Sequence, residues 1–306
     1  MTDAGGRVLV AGSINTDLVA HVRKAPEAGE TVTGSSFAIF GGGKGANQAI
    51  AAARSGAAVA MLGAVGRDDF GRQRLSDLIA EGIDTESVAT TDRAASGVAL
   101  IVVDETGQNR IAYVPGATAT VVAEQAIAGL RRVRPRVFLA TLELPVAALA
   151  ALFREAKTLG ATIITNATPE PSRGRDLASA ADILIVNETE ASELQPANGN
   201  RDWEAVARSL LALGPSAVIV TLGADGAVVV GDGIAAELPA PRVEVVDSTG
   251  AGDAFCGAVA ARLADGGDLL TAARAGVIAG SLAVTRAGAQ PSMPRREEIE
   301  QMLREA

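Results

Sequence analysis

A glycine-rich turn carries the residues best suited to chemistry. Residues 247–253 (DSTGAGD) follow an apolar run at 243–246, which predicts a strand, and they open a helix of small residues. A helix N-terminus offers free N–H groups and a positive dipole end to an anion. Gly250 and Gly252 allow close backbone approach, and Asp253 could take the proton of an attacking hydroxyl. The turn therefore indicates phosphoryl transfer to an alcohol, with a simple capped turn as the alternative.

A second glycine-rich segment, residues 41–48 (GGGKGANQ), fails the P-loop pattern. Gly45 follows Lys44 where the pattern requires Ser or Thr, and Ala38 stands where its leading glycine belongs. A dinucleotide-binding turn is also absent after the first strand. We expect the backbone here to approach a hydroxylated ligand, with Lys44 and Asn47 directed at it. An ordinary turn before a helix is the alternative.

Further polar residues follow predicted strands. Asn15 and Asp17 come after the first strand, where an amide and a carboxylate could bind the vicinal hydroxyls of a sugar or could simply form a turn. Glu143 follows a later strand. Asn187 and Glu190 are three residues apart at a helix start, which suits either water-mediated Mg²⁺ binding or a capping box.

Residues 221–226 (TLGADG) end another strand, and their glycines could hold nucleotide phosphates or form a tight turn. His21 is the only histidine and is expected on the surface or on a lid, so a histidine base is not expected. Cys256 is expected to be a small core residue. Because these polar residues mostly follow strand ends, we expect them to converge at one edge of one sheet.

Composition narrows the class of protein. The 306 residues are 48% hydrophobic but only 3% aromatic, so the core must be aliphatic. The net charge of −9 comes without a visible basic patch, which argues against a nucleic-acid partner. One cysteine excludes an intrachain disulfide and fits a reducing compartment. Without an apolar run of about 18 residues or a signal-peptide pattern, we expect a cytoplasmic protein that does not bind membranes.

The hydrophobic pattern predicts an α/β fold with a doubly wound, mostly parallel sheet that has helices on both faces. Predicted strands lie at 8–11, 57–62, 137–140, 162–165, 183–186 and 217–220, with an antiparallel edge hairpin at 226–230 and 234–238. Predicted helices lie at 44–55, 69–81, 121–131, 146–159, 203–213, 252–264, 269–284 and 295–304. Extended segments at about 15–40 and 96–114, the second a hairpin, break this alternation. We expect a single domain over 1–306 whose small β-sheet forms a lid.

Several of these segments resemble the PfkB-type carbohydrate kinases, and within that family the ribokinases. The resemblance covers nearly the whole chain and rests on GSINTD (12–17), GETVTG (29–34), GGKGANQA (42–49), NETE (187–190), residues 247–253 and TRAGAQPS (285–292). It implies the ribokinase-like fold and ATP-dependent phosphorylation of D-ribose at its 5-hydroxyl. A kinase of another sugar or a nucleoside, a sugar-binding regulatory protein and a nicotinamide-dependent dehydrogenase are the alternatives.

The resemblance also implies residue roles. Asp253 would be the base, and the amides of Gly250, Ala251 and Gly252 would form an anion hole. The sugar would contact Asp253 and also Asn15, Thr16, Asp17, Gly43, Lys44, Gly45, Ala46, Asn47 and Glu143. The ATP site would comprise Asn187, Thr221, Leu222, Gly223, Ala224, Asp225, Gly226, Gly252 and Val277.

Metal sites and assembly follow from the same resemblance. Glu190 and Asn187 would hold Mg²⁺ through water. Potassium would lie near Asp247, Thr249, Ala283, Arg286, Gly288 and Ser292, partly on backbone carbonyls, and the lid would form a homodimer.

Two positions depart from the family pattern. Val277 can pack against a purine without donating a hydrogen bond, and residues 166–169 read NATP instead of Asn-Pro-Ala-Pro.

Overall fold

The computed structural model describes residues 6–195 and 202–305, which fold into two sheets and the helices around them. The strands of the described part are β1 (Arg7–Ala11), β2 (Asn15–Val22), β3 (Gly34–Gly42), β4 (Ala58–Gly66), β5 (Asp84–Thr91), β6 (Gly97–Val103), β7 (Asn109–Val114), β8 (Val137–Thr141), β9 (Thr162–Asn166), β10 (Ile183–Asn187), β11 (Ala217–Thr221), β12 (Ala227–Gly231) and β13 (Ile234–Leu238). The α-helices are α1 (Lys44–Arg54), α2 (Asp69–Ala80), α3 (Ala123–Val133), α4 (Val146–Thr158), α5 (Arg175–Ala178), α6 (Glu188–Leu194), α7 (Trp203–Leu211), α8 (Ala251–Ala264), α9 (Leu269–Ala283) and α10 (Arg296–Glu305).

Within the described residues, nine strands form the large sheet, in the order β13-β12-β11-β10-β9-β8-β1-β4-β5. Pairing is parallel from β11 through to β5, and β12 and β13 add an antiparallel hairpin at one edge. The predicted fold class and edge hairpin are therefore confirmed. Side chains alternate between the two faces, so Val8 and Val10 pack with α1 and α8 while Leu9 and Ala11 pack with α3 and α4.

The remaining four strands form the small sheet, in the order β3-β2-β6-β7. β2 pairs antiparallel with β3 and parallel with β6, and β6 and β7 form the predicted hairpin. The chain enters this sheet directly after β1 and leaves it through α1, so its first strands border the C-terminal edge of the large sheet. His21 lies exposed on β2, as expected.

Two sequence interpretations are corrected by the structure. Residues 243–246 are not a strand, because Pro239 and Pro241 interrupt backbone pairing just before them. Val245 and Val246 are instead 64% and 61% exposed. Strand β5 was not predicted, since its polar sequence DTESVATT carries little apolar signal at the edge of the sheet. In the described ranges, no helix has both the length and the apolar character needed to cross a membrane.

Candidate active site

The turn at 247–253 makes a sharp entry into α8. Gly250 is the N-cap, with a left-handed backbone at φ 80° that favours glycine. A Cβ there would also lie 3.0 Å from the Cα of Ala289. The amide of Ala251 donates to the Ser248 carbonyl over 3.3 Å, which closes the turn, while a Cβ on Gly252 would meet open space.

Asp253 is buried near the start of α8 and both of its carboxylate oxygens are held by α1. Asn47 Nδ2 donates to Oδ2 over 2.9 Å, and Gln48 Nε2 donates to Oδ1 over 3.0 Å. The two helices approach closely because Gly257 lacks a side chain, and a Cβ there would lie 2.7 Å from the Gln48 carbonyl oxygen. Close packing of α1 on α8 therefore brings residues about two hundred positions apart into hydrogen-bonding distance.

The charge of Asp253 is balanced between opposing effects. Burial raises the pKa of this carboxyl above its ordinary value, and Glu143 adds to the rise. The Lys44 ammonium and the amides of Asn47 and Gln48 oppose it. A carboxylate in such surroundings is a stronger proton acceptor than a solvated one.

Asp253 borders a cavity of about 220 Å³, here called the polar cavity. Its walls are Lys44, Asn166, Thr168, Ile185, Asn187, Glu190, Thr221, Gly250, Gly252, Asp253 and Cys256. The structure thus brings together seven of the predicted site residues, namely Lys44, Asn187, Glu190, Thr221, Gly250, Gly252 and Asp253. Cys256 is buried as expected. Burial raises the pKa of its thiol well above the ordinary value, so it contributes an uncharged thiol to the wall of the cavity.

The residues expected to contact a sugar come from both sheets. Burial raises the pKa of Asp17, on β2, to about 6; nearby Arg74 opposes this rise and Asp253 adds to it. Glu143 Oε2 accepts from the Ser13 amide over 3.0 Å and from Thr141 Oγ1 over 2.9 Å. The other oxygen of Glu143 takes no part in these two bonds.

The small sheet adds a residue that sequence reasoning missed. The hydroxyl of Tyr113, on β7, lies close enough to the Asn15 and Ser13 side chains for both to lower its pKa. Tyr113 is 41% exposed, but the partial burial of its side chain, together with the Glu143 carboxylate, raises its pKa to about 12, so the hydroxyl is neutral. It stands opposite Ala99, on the same sheet face as Asp17, which is the pairing that could have indicated it.

Four residues expected at the sugar serve packing instead of, or as well as, binding. Gly43 has φ 91°, and a Cβ on it would lie 2.8 Å from the Asn15 nitrogen. A Cβ on Gly45 would lie 2.6 Å from the Cα of Gly12, so α1 begins against the end of β1. Thr16 and Ala46 are buried, at 0% and 1% exposure.

Asn187 and Glu190 form the capping box that was the alternative interpretation. Glu190 N donates to Asn187 Oδ1 over 2.8 Å, and Asn187 N donates to Glu190 Oε2 over 2.9 Å. Burial raises the pKa of the Glu190 carboxyl, although hydrogen bonds from Asn187 and Thr168 oppose this rise. The box does not conflict with a role at the ligand, because both side chains also line the polar cavity.

A second cavity of about 520 Å³, here called the apolar cavity, adjoins the first. It is lined mainly by Ala, Pro, Val and Gly residues, including Val243, Val277, Gly223, Ala224 and Gly226. Thr221 and Gly252 line both cavities, so the two spaces meet there. Leu222 and Asp225 do not line it. They close the supporting turn through Leu222 N–Gly226 O (2.8 Å) and Asp225 N–Leu222 O (3.0 Å).

The residues expected at a potassium ion lie in two adjacent chain segments. Asp247 Oδ1 accepts from the amide and hydroxyl of Thr249, and its Oδ2 accepts from the Gly288 amide over 2.8 Å. Burial alone would raise the pKa of Asp247, but these hydrogen bonds outweigh it and lower the pKa. Val246 N also bonds to Val284 O, beside Ala283, over 2.8 Å. These segments present oxygen donors, the kind a hard monovalent cation takes.

Side chains in the same region point elsewhere. Arg286 pairs with Glu298 on α10, and Ser292 Oγ donates to the Ala289 carbonyl over 2.8 Å. The Gln290 side chain lies directly against Gly41 of β3, where a Cβ would overlap it. Arg54, from the end of α1, donates to the carbonyls of Gln290 (2.8 Å) and Met293 (3.0 Å).

No group of three or more His, Cys, Asp or Glu side chains is arranged to hold a metal ion in the part of the chain that the structure describes. The described residues therefore do not form a site in which protein side chains alone coordinate a divalent ion. The Glu190 carboxylate in the polar cavity suits Mg²⁺ that keeps most of its water ligands and contacts few protein oxygens.

Comparison with known proteins agrees with this fold. The family model described as pfkB family carbohydrate kinase matches residues 6–296. A ribokinase of Bacillus subtilis is 38% identical over 297 residues, which is 97% of this chain and 99% of the relative. The chain therefore belongs to the pfkB family of carbohydrate kinases.

Two solved structures similar to this chain are also ribokinases. A crystal structure of ribokinase from Thermotoga maritima has a TM-score of 0.89 and 32% identity, covering 98% of this chain and 99% of that one. The structure of Arabidopsis thaliana ribokinase complexed with ribose and ATP has a TM-score of 0.88 and 28% identity, with the same coverage of both chains.

Proposed function

We propose that this protein transfers the γ-phosphoryl group of ATP to the 5-hydroxyl of D-ribose, giving D-ribose 5-phosphate and ADP. The observation that carries the proposal is the place of Asp253. It lies at the wall of the polar cavity, near Gly250 and Gly252, at the first turn of α8. The similarity to ribokinases over almost the full length supports ribose as the acceptor.

The two substrates lie on opposite sides of Asp253. The apolar cavity takes the adenine, with Val277 in its wall and the phosphates near Gly223, Gly226 and Thr221. The sugar lies on the other side of Asp253, between the Asn15, Asp17 and Glu143 side chains and the start of α1. Because Thr221 and Gly252 line both cavities and Asp253 lines the polar one, the phosphates can reach from the apolar cavity to the sugar at Asp253.

The reaction needs one proton acceptor. Asp253, in its ionised form, takes the proton of the ribose 5-hydroxyl as that oxygen attacks the γ-phosphorus and the bond to the ADP oxygen breaks. Lys44 and the amides at 250–252 stabilise negative charge on the transferred group. Exclusion of water by the small sheet, acting as a lid, favours ribose over hydrolysis.

Two metal ions complete the proposal. Glu190, with Asn187, holds Mg²⁺ through water, and Mg²⁺ neutralises phosphate charge when bound. The segments around Asp247, Thr249, Ala283, Arg286, Gly288 and Ser292 hold potassium, whose charge supports the neighbouring turn at 250–252. The hydrogen bonds of Asp247 to both segments support this assignment, because they hold the oxygen donors in place.

The small sheet also supports a homodimer. Leu18 of β2 stands between Ile39 of β3 and Leu100 of β6, on the sheet face opposite to Asp17. Ile39 and Leu100 are 51% and 47% exposed. An apolar patch of this kind on a two-sided sheet suits pairing with a second copy of the chain.

An acceptor panel tests the proposed function. Release of ADP is measured with ribose, 2-deoxyribose, fructose, adenosine and 5-deoxyribose, with Mg²⁺ and with either potassium or a large inert cation. We expect ribose to rank first, 5-deoxyribose to be inactive, and activity to fall without potassium. A higher kcat/KM for another acceptor would reject ribose, and equal rates in both salts would reject the potassium assignment.

A further inference from the structure

We infer that Gln48 is a positioning residue for the base: its side-chain amide fixes the orientation and the ionised state of the Asp253 carboxylate without touching the sugar. The inference rests on the proposed function and extends it to a residue outside the sugar and ATP sites.

The hydrogen-bonding pattern around Gln48 leaves one orientation of its amide. The Nε2 group donates to Asp253 Oδ1 over 3.0 Å and to Asn166 Oδ1 over 2.9 Å, so both of its hydrogens are used. Asn166 is itself oriented, because its Nδ2 donates to the Ile185 carbonyl over 3.3 Å. Gln48 therefore faces two acceptors, and only an amide nitrogen satisfies both.

Asp253 is consequently held at both oxygens by neighbouring residues of α1. Asn47 holds Oδ2 and Gln48 holds Oδ1. Each of these amides leaves its own carbonyl oxygen, Asn47 Oδ1 and Gln48 Oε1, buried without a partner among the described residues. Such an unmatched acceptor is costly, and what the two amides supply in return is their hydrogen bonds to Asp253.

Gln48 is more deeply buried than the residues to which it donates hydrogen bonds. Gln48 has 0% exposure and takes no part in the cavity wall, whereas Asp253 and Asn166 both line the polar cavity. Gln48 can therefore act on the reaction only through the residues that it holds, Asp253 and Asn166. A hydrogen bond to the charged form of a carboxylate favours that form, and a bond at each oxygen restricts rotation of the carboxylate plane.

Other charged groups also act on Asp253. Lys44 of α1 favours its ionised form, while Glu143 after β8 disfavours it. Asp17 of β2 is near enough for its own pKa to be raised by Asp253. Glu190 of α6 and the neutral Cys256 thiol share the cavity wall. None of these groups changes in the variants below.

The decisive variant is Gln48→Glu, which keeps the shape of the side chain but replaces the donor with an acceptor. Two carboxyl groups at this distance share a proton, which raises the pKa of the pair. We expect kcat to fall about 100-fold near neutral pH, the acid limb of the kcat–pH profile to move to higher pH, and the KM for ribose to stay within threefold. These magnitudes are of the order found for positioned proton transfer.

Gln48→Leu serves as the second variant because it removes the donors without adding charge. We expect a lower kcat and a smaller move of the acid limb to higher pH than in Gln48→Glu, because loss of a hydrogen bond to the charged form raises the pKa of Asp253 without adding a second carboxyl group. Gln301→Glu is the matched control, since Gln301 Nε2 also donates to a carboxylate, Glu305 Oε1, over 3.0 Å, on the exposed surface of α10. This control should behave as the wild type.

The outcomes separate this inference from the proposed function. A wild-type kcat and pH profile for Gln48→Glu and Gln48→Leu would overturn the inference, as would losses that appear only as a higher KM or a lower thermal midpoint. If ribose is not phosphorylated by the wild type, the proposed function fails before Gln48 is tested. Loss of kcat with an unchanged ribose KM and a shifted profile in Gln48→Glu supports the inference.

Discussion

The two sheets of this protein are built on opposite principles. Every residue of β8 in the large sheet is buried, whereas every residue of β7 in the small sheet is exposed. The large sheet is covered by helices on both faces, and the small sheet is not. A sheet of four strands without a covering layer has little core of its own, so its position must be set by a few contacts with the large domain.

Helix α2 supplies such contacts. Its N-cap Asp68 accepts from the amide and the hydroxyl of Ser96, over 2.7 and 2.6 Å, just before β6 begins. Further along α2, Arg74 donates to the Phe40 carbonyl of β3 over 2.8 Å and pairs with Asp77. The small sheet is therefore anchored by polar contacts, while the large sheet is held by packing. Catalysis is expected to depend on the large sheet, and sugar binding and assembly on the small one.

The largest expected effect is on the chemistry that the large domain positions. Asp253→Asn keeps the size of the side chain but removes the base, so we expect kcat to fall about 10²–10⁴-fold with ribose binding largely retained. Steady-state kinetics and ribose calorimetry measure the two. Asp268→Asn is the control, because Asp268 only caps α9 and asparagine caps equally well. A near-normal rate for Asp253→Asn would remove the base assignment.

A matched pair of leucines sharpens the comparison of packing. Leu139 is 0% exposed in β8 and Leu100 is 47% exposed in β6. Leu139→Ala should lower the free energy of unfolding in urea by about 2–5 kcal/mol. Leu100→Ala should change it by less than about 1 kcal/mol at concentrations where the protein is monomeric.

The same Leu100 variant also tests the proposed homodimer. Because it shortens the apolar patch, the dimer measured by light scattering should weaken, while Leu139→Ala that remains folded should dimerise normally. Equal losses of stability in the two monomeric variants would contradict the contrast between the sheets.

The smallest effect concerns pH and the small sheet. Asp17 is mostly ionised above its pKa of about 6, and in that form it would accept hydrogen bonds from the proposed sugar. As the pH falls below 6 the carboxyl is protonated, so ribose affinity measured by calorimetry should decrease up to tenfold per pH unit. Asp17→Asn should bind weakly with no such dependence, while Asp253→Asn should keep the dependence with its midpoint at lower pH, because the Asp253 charge contributes to the raised pKa of Asp17. A pH-independent affinity of the wild type would exclude Asp17 as a sugar ligand.

Buried strands of the large sheet were predicted more reliably from the sequence than exposed or edge segments. Strands such as β8 and β10 were predicted because a buried parallel strand reads as a short, continuous apolar run. The run at 243–246 has the same appearance but lies exposed beside the apolar cavity, and the polar strand β5 has the opposite appearance. Local pattern does not show which segment finds a neighbouring strand.

The residues of the site also fall into a group that the sequence predicted and a group that it did not. Residues that follow strand ends were predicted because topology alone brings them to one edge. Gln48, Asn166 and Tyr113 were missed as site residues because their roles arise from packing. The Gln48–Asp253 bond joins residues 205 positions apart and depends on the close approach of α1 and α8. No local spacing signals that contact.

The contact between Gln290 and Gly41 has a thermodynamic consequence. It joins β3 of the small sheet to the segment that follows Gly288, whose amide holds Asp247. If binding of sugar moves the small sheet against this segment, sugar and potassium are coupled ligands. Potassium would then strengthen ribose binding by some factor, and ribose would strengthen potassium binding by the same factor, because a coupling free energy is reciprocal.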